Sequence, residues 1–171
     1  MGEKMKNTRL LIREAMPTET PIVLDFIHKI AHYEHLSDRV EATEAMLHQA
    51  LFVDRVCGVV LAFLGNKPIG FALYYYNFST FKAKRGLYLE DIFVCEDYRG
   101  KGYGKALMGH LLMKAEKEEL GRMEWSCLRW NQKAIDFYHS LGATPLTEWM
   151  TFRMEDDFSM KHDKSKLMEN Q

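Results

Sequence analysis

Long apolar runs are missing from this chain. No stretch approaches the roughly 18 residues that a membrane helix requires, so no span is expected. Cysteine is scarce, with Cys57, Cys95 and Cys127 far apart and no CxxC pair among them. That argues against a disulfide framework or a cysteine-rich zinc site, and a reducing cytoplasm is the expected compartment. Each thiol is expected to act as a small buried hydrophobe. The first ten residues, MGEKMKNTRL, carry charge but no apolar core, so they do not read as a secretory signal. An excess of either charge is lacking too. The 23 Lys and Arg against 24 Asp and Glu leave a net charge of −1, with no basic field to suggest nucleic acid. Repeats, linkers and low-complexity segments are absent. What remains, at 171 residues and 47% hydrophobic, is enough for one well-buried domain and short for two.

Hydrophobic period divides the chain. Leu10–Arg13 reads as a strand closed by Pro17, and a helix runs from Thr18–Glu19 to Tyr33 with Ile22, Phe26, Ile27 and Ile30 on one side. Thr43 opens a second helix to about Leu51. Val56–Leu64 and Ile69–Tyr76 form a hairpin around Gly65-Asn66-Lys67-Pro68. Asn77–Gly86 is polar and reads as irregular, and Leu87–Val94 is a strong strand. Gly104–Leu120 is an amphipathic helix stopped by Gly121. Met123–Leu128 is a strand, Asn131 caps a helix that Gly142 ends, and Thr147–Met154 is a last strand. Residues 1–8 read as a frayed lead-in. The expected ordered core is therefore about 8–154, with a charged tail over 155–171, in a single α/β domain.

The stretch between the third strand and the long helix carries the chemistry. Arg99-Gly100-Lys101-Gly102-Tyr103-Gly104-Lys105 is not a Walker loop, because Ala106 stands where Ser or Thr would hold magnesium. Nor is it GxGxxG. Glycines before a helix let successive amides converge on an anion at the helix's positive end, and Arg99, Lys101 and Lys105 add charge. A pyrophosphate cradle is the expectation.

Arg99–Gly104 resembles the acetyl-CoA signature of the GNAT superfamily of N-acetyltransferases. Tyr88-Leu89-Glu90-Asp91-Ile92, Asp97-Tyr98-Arg99-Gly100, Trp130-Asn131-Gln132-Lys133-Ala134 and Ala31-His32-Tyr33-Glu34 resemble its diamine acetyltransferase family. So do Gly142-Ala143 and Leu146-Thr147-Glu148, and the matching blocks span about Ile12 to Arg153. The resemblance implies a mixed, mostly antiparallel sheet flanked by helices, acetyl-CoA as donor, a small-molecule amine as acceptor, and a homodimer. It places the acetyl and pantetheine arm on Ile92, Phe93 and Val94, and the pyrophosphate on Arg99 to Lys105, Tyr103 included. Asn131 and Lys133 would contribute further contacts.

Acetyl transfer to an amine needs a base for the ammonium, donors for the developing oxyanion and an acid for the departing thiolate. Glu90 and Asp91 point to opposite faces of a regular strand, and the resemblance makes Glu90 the base, acting through water, in a direct attack. Either carboxylate could instead simply pair with a cation. Tyr138 is the acid that the resemblance implies, although helical spacing alone would make it a core tyrosine. Tyr33, Glu34, Asp91 and Trp149 match positions lining the family's amine pocket, where carboxylate and aromatic groups suit an ammonium.

One departure bears on the acceptor. Polyamine-acetylating members carry Asp and Trp where Ser79 and Phe81 stand here, and this chain is more similar to the thialysine acetyltransferase branch. A thialysine- or lysine-like amino acid or a diamine is the expected acceptor. Spermidine or spermine, lysine in a peptide, and a non-catalytic acyl-CoA-binding module are the alternatives. His28, His32 and His35 share a helix face without an HExxH motif, so a solvated face rather than a metal site is expected.

Overall fold

The computed structural model describes residues 9–154. The expected lead-in over 1–8 and tail over 155–171 lie outside them. The chain gathers into two compact units, Met1–Asn131 and Gln132–Gln171.

The first unit is built on five strands. They are β1 (Leu10–Glu14), β2 (Gly58–Leu64), β3 (Lys67–Ser79), β4 (Lys84–Val94) and β5 (Met123–Trp125), in the spatial order of the sequence. The first three pairings are antiparallel, and β4 pairs with β5 in parallel. The parallel pair requires a crossover, which α3 (Tyr103–Lys117) provides. Helix α1 (Thr20–Tyr33) and the short α2 (Glu44–His48) lie between β1 and β2, and a π turn over Gln49–Val53 prolongs α2. Thr43 caps α2 as expected, accepting from the Met46 amide at 3.3 Å.

Alternation along the strands gives each helix its own face. Val59, Leu61, Phe63, Phe71 and Leu73 form one cluster with Val23, Phe26 and Ile30 of α1, and the Phe26 and Phe71 rings stack at 5.3 Å. On the other face Leu107, Met108 and Leu111 of α3 are buried. Gly70 lets β3 lie close to β4 there, since a Cβ would stand 2.7 Å from the Phe93 carbonyl oxygen. A polar clasp holds the same helix. Lys114 bridges Glu14 at 3.2 Å and Glu118 at 3.1 Å, and the Tyr74 hydroxyl donates to Glu14 at 2.8 Å.

In this first unit three expectations are corrected. Asn77–Gly86 is an extension of the β3–β4 hairpin, with Asn77 opposite Gly86, Phe78 opposite Arg85 and Ser79 opposite Lys84. Its polar residues are stabilised from outside the hairpin: Lys82 Nζ donates to the Gly121 carbonyl and the Gly121 amide donates to Arg85, both at 2.8 Å. Helix α3 ends at Lys117, and the left-handed residue after it is Glu119 (φ 52°), so Gly121 does not stop it. Gly121 instead permits close approach to the hairpin, its hypothetical Cβ lying 3.0 Å from Lys84 Cβ. Met123–Leu128 shortens to Met123–Trp125, where pairing with β4 ceases.

The second unit, described to Met154, contains α4 (Gln132–Ser140). It starts one residue after Asn131, and Gly142 (φ 82°) ends it as expected, with the Ala143 amide donating to Tyr138. Thr147–Met154 is not a strand. It has no ladder partner among the described residues, and Trp149, Met150, Phe152 and Met154 are exposed. Phe71→Ala is expected to cost about 3–5 kcal/mol in urea unfolding, because it removes a fully buried stacked ring from the α1 face; a loss below 1 kcal/mol would place the core elsewhere.

Candidate functional site

A β-bulge puts the acidic residues where they act together. Leu73 pairs with Asp91, but Tyr74 pairs with Leu89, so Glu90 is the extra, unpaired residue on β4. The bulge breaks the strict alternation of the strand. Glu90 is exposed, while Asp91 is half-buried opposite Leu73, beside the end of α1. Burial, with the charges of Glu90 and Glu34, pushes the Asp91 carboxyl up to about 6. Burial also raises the Glu34 carboxyl above its ordinary value. Glu34 and Glu90 thus share one region with Asp91 and disfavour its charge, an arrangement suited to an ammonium.

Past the bulge, β4 has an open edge. β5 pairs with Leu87–Leu89 alone, leaving Ile92, Phe93 and Val94 without a strand on that side among the described residues. This is the departure from regular pairing that backbone contacts to an extended chain require.

A short turn over Glu96–Tyr98 leads from β4 into the glycine loop. Gly100 (φ 73°) and Gly102 (φ 85°) are left-handed, and nothing lies within 4 Å of a Cβ built on either. Conformation, not crowding, demands glycine at both. Gly102 is also the N-cap of α3 and offers no side chain, so none caps the helix start. Amides at Tyr103, Gly104 and Lys105 therefore face an open loop, the form of an anion site. The loop cations behave differently from expectation. Arg99 Nε donates to the Val94 carbonyl at 2.9 Å, and its guanidinium lies over the Tyr33 ring (4.7 Å) and the Phe93 ring (5.1 Å). Lys101 Nζ donates to the Asp97 carbonyl at 2.8 Å. Lys105 is exposed.

Tyr33 is drawn into the same region. Its hydroxyl donates to Asn131 Oδ1 at 3.2 Å and its ring meets Trp130 at 6.1 Å. The first unit thus gathers Tyr33, Glu34, Glu90, Asp91, Ile92–Val94, the glycine loop and Asn131. The remaining site candidates lie on the second unit: Lys133 and Tyr138 on α4, and Trp149 after it. Tyr138 is half-buried against Phe137, and Trp149 is three-quarters exposed. Ser79 and Phe81 do not join the carboxylates. Six residues of strand, about 20 Å, separate Lys84 beside the hairpin turn from Glu90. Ser79 is buried there and Phe81 is almost fully exposed. His28, His32 and His35 are exposed, and no group of three or more metal-ligating side chains forms among the described residues.

Sequence reasoning missed the floor beside Glu90. Tyr75 and Tyr88 face each other at 5.0 Å, and Tyr88 shares a 2.7 Å hydrogen bond with Ser126. Glu90 and Tyr88 help to raise the Tyr75 hydroxyl, after burial. Asn77, Arg122 and Glu124 continue this floor. Their signal is the two-residue period of 75 and 77, of 86 and 88, and of 122, 124 and 126, which is short and easily overlooked.

Comparison with known proteins agrees with this geometry. Residues 23–143 match the model of the acetyltransferase (GNAT) family. L-ornithine N5-acetyltransferase NATA1 of Arabidopsis thaliana is 32% identical, with 90% of this chain and 87% of that protein aligned. Thialysine N-epsilon-acetyltransferase of Bos taurus is 34% identical over 86% and 94%. A solved integron cassette protein from the mobile metagenome of V. cholerae superposes with a TM-score of 0.72 at 28% identity, over 94% of this chain and 98% of that one. Family members use acetyl-CoA as acyl donor, and the open strand edge and glycine loop fit its arm and pyrophosphate. The chain belongs to the GNAT acetyltransferase family and is an amine N-acetyltransferase.

Proposed function

We propose that the protein acetylates the primary amine of a small molecule, a thialysine- or lysine-like amino acid or a diamine. One observation carries this reading: the bulge at Glu90 sets three carboxylates beside a strand edge left open for the donor's arm. Two relatives named for ornithine and thialysine acetylation support an amino-acid acceptor.

Acetyl-CoA, bound along Ile92–Val94 and the loop from Arg99 to Lys105, with Asn131 and Lys133 adding contacts, would supply an acetyl thioester. The chain's own residues do the rest. Glu34, Asp91 and Glu90 attract the ammonium, with Tyr33 and Trp149 as aromatic neighbours of the amine. Glu90, on the bulge and in contact with solvent, takes the proton through water and releases the free amine. Tyr138 provides the proton that the departing thiolate requires. The working assembly is a homodimer, as the resemblance implies. The three unpaired thiols support a cytoplasmic location.

Thiol release from acetyl-CoA, measured across ornithine, thialysine, lysine, putrescine, spermidine and a lysine peptide, tests this reading. Release is expected with the amino acids or short diamines. Release with spermidine alone would favour the polyamine reading, and none with any amine would leave only a binding module. Tyr138→Phe should lower kcat by roughly 10-fold or more with acetyl-CoA affinity little changed; an unaltered kcat refutes the acid role.

Asp91 also makes a stability prediction. Its pKa is raised from 3.8 to about 6, so the folded chain holds this proton more tightly than the unfolded chain. That contribution is fully present below pH 4 and is lost as the pH rises through 6. Above pH 6 the buried charge then opposes folding by on the order of 2–3 kcal/mol. Asp91→Asn should therefore raise the urea midpoint relative to wild type at pH 8, with a smaller gain near pH 4. A gain independent of pH would contradict the assignment.

A further inference from the structure

Away from Glu90, the floor ends in an ion pair that the transfer chemistry does not use. Arg122 and Glu124 stand there with Asn77, around Gly86. Glycine allows the meeting, because a Cβ at 86 would lie 2.3 Å from Asn77 Oδ1 and 2.9 Å from Arg122 Cγ. Glu124 Oε2 accepts from Asn77 Nδ2 at 3.0 Å and lies 2.8 Å from Arg122 Nε. Arg122 is held by its stem, yet its donors are poorly used. Its buried Nε makes no well-directed hydrogen bond despite its nearness to Glu124. Its Nη2 reaches the Phe78 carbonyl only at 3.5 Å. A guanidinium is a planar fork of five donors suited to a carboxylate, and this one keeps about a third of its side chain exposed (36%).

We infer that Arg122 and Glu124 receive the zwitterionic head of an amino-acid acceptor. Arg122 binds the α-carboxylate and Glu124 the α-ammonium, while the side-chain amine reaches Glu90. The inference rests on the proposed amine acetyltransferase function and assigns its acceptor class. Charge favours it: paired opposite charges complement a zwitterion, whereas the second ammonium of a diamine would meet Arg122. The span agrees as well. Gly86, whose backbone lies beside Arg122, and Glu90 are four residues apart on β4, a backbone spacing of roughly 13 Å at most because Glu90 is the bulge's extra residue. In an extended lysine-type molecule six bonds separate amine from carboxylate, roughly 7 Å. A charge-assisted contact of roughly 2.8 Å at each end fills the rest. Between the ends lie the Tyr75 and Tyr88 rings, a surface for the methylenes.

Matched acceptors test the assignment: lysine against its decarboxylated diamine, and ornithine against putrescine, each with saturating acetyl-CoA. Wild type should favour the amino acid of each pair. Arg122→Gln should raise KM for the amino acids at least roughly 10-fold, the worth of a charged hydrogen bond. It should leave kcat within about twofold and should lower, not raise, KM for the diamines, whose second ammonium no longer meets a cation. Arg122→Lys should recover part of the loss, and an unchanged melting temperature would exclude a folding defect. Equal effects on both members of a pair, no effect on either, or a wild type indifferent to the carboxylate would overturn the assignment while leaving the acetyltransferase reading intact. No thiol release with any amine would instead bring down that reading, and this inference with it.

Discussion

The site depends on one irregular rung. A regular β4 would send Glu90 and Asp91 to opposite faces. Between Leu73 and Tyr74 the ladder skips Glu90, and the acidic cluster is arranged around that single residue. Asp91 is held near Glu34, Glu90 stays in reach of solvent, and just beyond them the edge from Ile92 to Val94 has no strand on the β5 side among the described residues. On the proposed reading, acceptor chemistry and donor binding would meet at this one irregular stretch of β4.

The fold bears a cost for this. The Asp91 charge, partly withdrawn from water and crowded by Glu34 and Glu90, destabilises the native state at neutral pH. The opposing stability comes from elsewhere in the sheet, from the Phe26–Phe71 stack and the α1 cluster on one face and from the Lys114 clasp with buried Leu107 and Leu111 on the other. An ammonium in the site would relieve the repulsion, so binding there is favoured partly because the empty site is strained electrostatically.

What could be read from the sequence was whatever is encoded locally. Gly100, Gly102 and the helix after them announce themselves, because left-handed backbone and an uncapped helix start need only neighbouring residues. The strands and α1 were legible for the same reason. The bulge was not, since it is a relation between two strands, and neither YLED nor its partner sequence states which residue is skipped. The outer hairpin was misread because its polar residues take their bonds from Gly121, far away in the chain. The stretch 147–154 was read as a strand, but local sequence counts for little where no neighbour among the described residues supplies a ladder. Arg122 and Glu124 escaped notice because β5 is three residues long, too short for its period to stand out.

Arg99 lies between the two halves of the site. Its guanidinium spans the Phe93 and Tyr33 rings while its Nε holds the Val94 carbonyl. It is therefore a strut joining the loop to the end of α1, and an anion in the loop would be left chiefly to backbone amides. A strut transmits in both directions. Any adjustment of the loop on filling is felt at Tyr33, and by thermodynamic reciprocity whatever fixes Tyr33 alters the loop's affinity by the same factor. Donor and acceptor would then not bind independently, and the order of their arrival would follow from which of them does more to set this one side chain.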